Sequence, residues 1–138
     1  MALLLLIAAV AAGFTSQKDV PSPVHYGCDD LVVIGRMKNV SFAPIPDEND
    51  LLGHGRVQFD VLVDQLLRGS DKRRRVPVST IAHVGMNEDH EFLLVLSPDK
   101  RGNDYELKEV RVWQLAPGDY PRWVREQARR PTLAPRCG

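Results

Sequence analysis

Four histidines, two cysteines and one run of four basic residues are the side chains in this sequence best suited to chemistry. His83 and His90 flank a loop that contains Glu88 and Asp89, and imidazole with carboxylate suits zinc and related ions. A metal held by His83, Asp89 and His90 would support hydrolysis, so a metal-dependent hydrolase is one functional expectation, although the spacing follows no established ligand pattern. The alternative reading makes them exposed loop histidines at strand ends. His25 lies beside Asp29 and Asp30, and His54 sits between Gly53 and Gly55. Serine hydrolysis would use a Gly-x-Ser-x-Gly elbow, and phosphate chemistry a Gly-rich loop ending in Lys-Ser or Lys-Thr; the sequence contains neither. No catalytic residue and no cofactor is assigned.

Lys72, Arg73, Arg74 and Arg75 form the basic run. Binding of single-stranded nucleic acid or another polyanion through Arg73, Arg74 and Arg75 is a second alternative, because small barrels combine basic grooves with aromatic stacking platforms. Phe42, Phe59, Phe92 and Tyr105 mostly fall at core-parity positions, so the run reads better as a solvated hairpin tip. With 18 basic and 18 acidic residues the formal net charge is zero, and no global field recruits nucleic acid or anionic lipid. Cys28 and Cys137 stand near the two ends of the chain. An even count in an oxidising compartment predicts one disulfide, and neither cysteine belongs to a set of Cys and His at the spacing that a zinc site uses. Asn39-Val40-Ser41 fits a glycosylation acceptor within a predicted strand.

The compartment is read from residues 1–13, MALLLLIAAVAAG. This uncharged apolar run is too short for the roughly 20 residues of a membrane-spanning helix, and Ala9-Val10-Ala11 supplies a small-x-small cleavage pattern. A signal peptide cut between about Ala11 and Ser16 is expected. The mature protein would then be periplasmic or extracellular, with no transmembrane segment. Residues 14–27 read as an extended lead-in around Val20-Pro21-Ser22-Pro23, and residues 28–138 as one domain.

Within that domain, residues 31–42 (LVVIGRMKNVSF) predict a first strand, with Gly35 at a bulge or bend. The acidic, proline-containing residues 43–50 predict a loop. Val57, Phe59, Val61 and Val63 alternate with Gln58, Asp60, Leu62 and Asp64, the period of a half-buried second strand, which residues 66–70 end in a turn. Residues 76–83 form a third strand. The unbroken apolar run in residues 91–96 marks a buried central strand, and residues 105–113 a fifth. Tyr105 and Leu107 share one parity and Val110 and Val112 the other, so a bulge is expected near Lys108 or Glu109. Residues 120–130 predict the single helix, with Pro121 at its first position.

Five strands, two of them bent, predict a mainly β fold: a small five-stranded antiparallel OB-like barrel with one short C-terminal helix, a β-sandwich being the alternative. The segments LVVIGRMKNV, GRVQFDVLVDQLLRG, VPVSTIAHVG and EFLLVLSP resemble, over residues 28–113, the OB-like barrels of netrin-type and tissue-inhibitor-of-metalloproteinase modules. The resemblance implies the same barrel. Its inhibitors chelate a protease zinc through the amine and carbonyl of a cysteine at the processed N-terminus. Here the predicted cut leaves roughly fifteen residues ahead of Cys28, which argues against that mechanism. The functional expectation is an exported, non-catalytic binding or interaction module for a protein or small molecule, with nucleic acid disfavoured.

Overall fold

Alternation between buried and exposed positions builds the sheet. In the second strand Val57, Phe59 and Val61 are buried while Arg56 and Gln58 face water. The computed structural model describes residues 22–83 and 88–138. Its strands are β1 (Leu31–Pro44), β2 (Gly55–Arg68), β3 (Arg75–Ala82), β4 (Glu91–Pro98) and β5 (Tyr105–Gln114), followed by helix α1 (Arg122–Gln127). The predicted leader and most of the lead-in lie outside the described residues.

The strands close into a barrel in the order β1-β2-β3-β5-β4, with β4 returning to β1. This is the expected small OB-like barrel. Its pairings are antiparallel except one: β3 and β5 run parallel and meet through only Val78–Tyr105 and Ser79–Glu106. The interior is filled from all five strands, among them Val33, Met37, Val57, Phe59, Val61, Val78, Leu94 and Leu96. Fully burying such side chains contributes about 1.5–3 kcal/mol each, so the barrel interior dominates the stabilising side of the fold.

Bulges give the strands the curvature that closure requires. Gly35 pairs with Val63 while Ile34 pairs with Gln65, so Asp64 is the extra residue, and a Cβ at Gly35 would run into the Leu62 carbonyl oxygen. A second shift lies between Lys38 and Ser41, where Asn39 takes φ 57°, a conformation Asn tolerates better than most residues. The bulge frees the Val40 amide, which donates to Glu88 Oε1 at 2.8 Å. In β5 the shift falls between Leu107 and Glu109, making Lys108 the extra residue as the parity change predicted.

The apolar run of β4 is buried on both faces. Phe92, Leu94 and Leu96 point into the barrel, while Leu93 and Val95 join Val24, Tyr26, Val32 and Ala134 in a second cluster outside it. That cluster is covered by the two ends of the described chain. Val24 donates its amide to the Thr132 carbonyl at 2.8 Å, and the Ala134 amide donates back to Val24 at 2.9 Å. The Gly138 amide reaches the Tyr26 carbonyl at 3.1 Å, and a Cys28–Cys137 disulfide closes the clasp.

Two expectations are corrected. The turn predicted at residues 66–70 begins only at Gly69, with φ 101°, because pairing with β1 continues past bulges at Asp64 and Leu67 of β2 to Val32–Arg68. The predicted helix at residues 120–130 is reduced to six residues, with Pro121 as N-cap rather than first helical residue. No side chain caps its N-terminus, so little stabilises a longer helix. Among the described residues, no helix is long and apolar enough to cross a membrane.

Candidate functional site

The outward positions of the curved sheet form the site. Period two turns Arg56, Gln58 and Asp60 of β2 outward next to Pro77 and Ser79 of β3, and the β1 bulge adds Asn39 and Ser41. Together with the β4–β5 loop, which supplies Asp99, Arg101 and Asp104, they line a groove of about 400 Å³. Asn39 Nδ2 donates to Asp60 Oδ2 at 2.9 Å, and the Arg75 guanidinium lies 3.8 Å from the same oxygen. Carboxylates, guanidinium groups, amides and hydroxyls thus share one face, a set able to match a polar ligand of mixed charge.

The loop wall of that groove is held by a clamp. Arg73 engages Asp71 through Nε at 2.9 Å and Nη2 at 2.7 Å, and Nη2 also donates to the Asn103 carbonyl at 2.8 Å. The Tyr105 hydroxyl donates to Asp71 Oδ2 at 3.0 Å, and Arg73 lies over the Tyr105 ring, 5.9 Å from its centroid. The Arg73 side chain, ahead of smaller hydrogen bonds from the Arg73 amide and Tyr105, brings the Asp71 carboxyl down to about 2. Burial pushes the Tyr105 hydroxyl up, and its hydrogen bond to Asp71 adds to that. All four members of the basic run are exposed, as a solvated tip would be; Arg73 pairs with Asp71 and Arg75 lies 3.8 Å from Asp60, while Lys72 and Arg74 are exposed beside them.

A second carboxylate ties the barrel to the clasp. Asp30, only 6% exposed, accepts hydrogen bonds from the Gly27 amide at 2.6 Å, Ser97 Oγ at 2.7 Å and Lys108 Nζ at 2.9 Å. Burial pushes its carboxyl up, but the bonds from Lys108, Gly27 and Ser97 outweigh that and hold it below the usual range. Nothing in the local sequence marks this role, since Ser97 and Lys108 lie 67 and 78 residues away.

The histidines separate into different settings. His83 packs its ring against His54, centroids 3.9 Å apart, whereas His90 lies against Phe92 and Tyr120, with its Nδ1 3.1 Å from the Ala116 amide. Asp89 is exposed and borders a depression of about 370 Å³ with Glu91, Arg36 and Lys38. Among the described residues no three His, Cys, Asp or Glu side chains form a group that could hold a metal. His25 is exposed, beside the clasp. Asn39, first residue of the acceptor triplet, is exposed on its bulge.

The predicted disulfide is present, with Cα atoms 4.9 Å apart and a sequence separation of 109. The outward residues of the groove were visible in the strand alternation. Their wall was not, because it comes from a loop some forty residues further along the chain. No protein-family model matches the chain, and no curated protein or solved structure does either.

Proposed function

We propose that this protein is an exported, non-catalytic binding module whose partner lies along the polar groove of β1, β2 and β3. The observation that carries the reading is the groove itself: side chains of both charge signs and several amides and hydroxyls converge beside a clamped loop. A site of that composition selects a polar protein segment with alternating charges, since each ligand charge meets its complement and an apolar ligand would leave the groove's polar groups unpaired. Export is supported by the Cys28–Cys137 bridge, because disulfides persist in oxidising compartments.

The test is a charge reversal, Arg56→Glu with Arg101→Glu, compared with wild type in quantitative capture of partners from the exported fraction. A partner retained by wild type and by a Lys100→Glu control, and lost at least about tenfold by the double variant, supports the reading. Identical capture by wild type and double variant, with unchanged thermal unfolding, overturns it.

A further inference from the structure

We propose that this protein associates with a second copy of itself head to tail, the tip of the β1–β2 hairpin of one copy seated on helix α1 of the next. Both surfaces carry large apolar side chains that the fold leaves uncovered. At the hairpin tip Leu51 is 95% exposed and Leu52 68%, and on α1 Trp123 is 63% exposed. Adjacent apolar side chains this open, rimmed by charge, mark a surface that meets another protein. Within one chain the tip and the helix do not cover each other, as their exposure shows.

Charge makes the two surfaces complementary. Residues 43–54 contain Asp47, Glu48 and Asp50 and no Lys or Arg, a formal net charge of −3. Residues 120–138 contain five arginines and a single acidic residue, Glu126, a net charge of +4. The neutral chain is therefore polarised: two tips repel, two helices repel, and a tip attracts a helix. Trp and Arg are also the side chains that most often dominate protein interfaces. Both surfaces are held in shape before they meet. Asp50 accepts hydrogen bonds from the amides of Leu52 and Gly53 at 3.0 and 3.1 Å and from that of His54, and Asp47 accepts one from the Asn49 amide at 2.9 Å. A loop tied from within loses little freedom on docking. On α1 Val124 and Ala128 are half-buried, while Arg122, Trp123 and Arg125 on the other side are exposed.

The contact joins two different surfaces, so a copy that docks its tip leaves its own helix open, and assembly proceeds to short chains or rings. Two leucines and a tryptophan bury far less than the roughly 1,200 Å² of a stable complex, which sets a weak association with Kd on the order of 0.1 mM. The test is sedimentation equilibrium of the full chain, disulfide intact, from about 10 μM to about 1 mM at low salt. Mean mass should rise with concentration past that of a dimer, and about 0.5 M salt should weaken association at least about threefold. Leu51→Ser with Leu52→Ser, and separately Trp123→Ser with Arg125→Glu, should each abolish association. Mixing the two variants should restore a 1:1 pair and nothing larger, because each supplies the surface the other lacks, and that pair also shows both variants to be folded. The proposal is overturned if wild type stays monomeric at about 1 mM, whether or not its helix then holds anionic phospholipid vesicles. It is also overturned if either variant associates like wild type, as it would where residues 1–13 or a tip-to-tip contact drove assembly, or if the mixture stays monomeric.

Discussion

Asp71 shows how one side chain can hold two loops. It bonds Arg73 and Tyr105 at once, and Arg73 extends the contact to the Asn103 carbonyl. Asp71→Asn keeps the shape and removes the charge, with an expected loss of about 1 kcal/mol at neutral pH for a partly exposed, charge-assisted cluster. The sign of its pH dependence follows from a carboxyl lowered to about 2 in the folded protein. Its contribution is complete above the unfolded value near 4 and disappears as pH falls through about 2, so urea unfolding curves of variant and wild type should converge over that interval. The basic run was legible in the sequence as an exposed, charged tip, but its pairing was not, because Asp60 and Asn103 reach it from another strand and another loop. His83 teaches the same point. Chain proximity suggested His90, while the barrel brings His54 across from the neighbouring strand end.

The strands were legible wherever period two or an unbroken apolar run was strong. β4 could be recognised as buried on both faces from Phe92 to Leu96 alone, although its outer cover could not, since that cover is assembled from Val24, Tyr26 and Ala134 at opposite ends of the chain. Bulges were legible when parity changed, as at Lys108, and only half legible at Gly35, where the extra residue belongs to the partner strand. Gly35→Ala tests the tightness of that crossing. The new methyl meets the Leu62 carbonyl, which belongs to the backbone and has little room to move. A loss of about 1–3 kcal/mol in thermal or urea unfolding is expected, with the far-UV spectrum of the folded state kept. A variant as stable as wild type would show that β1 and β2 separate more easily than their register implies.

At the scale of the molecule, closure of the barrel and closure of the clasp are separate achievements. The barrel needs the β3–β5 seam, which has two residue pairs, and the clasp needs the second apolar cluster with its disulfide. Replacing both cysteines, Cys28→Ser with Cys137→Ser, should lower stability by about 2–4 kcal/mol in urea unfolding while the barrel's strand spectrum persists. Loss of all β structure in the double variant would mean that the barrel depends on its clasp.

The clasp also has a mechanical meaning. The two ends of the domain leave it side by side, joined by the Cys28–Cys137 bond and the short ladder that pairs Val24 with Thr132 and Ala134. Tension applied between them is carried by that covalent bond once the ladder parts. The chain between the two cysteines, which stand 109 positions apart, forms a loop that no pull on the termini can extend, so the groove and the histidine pair stay shielded from load.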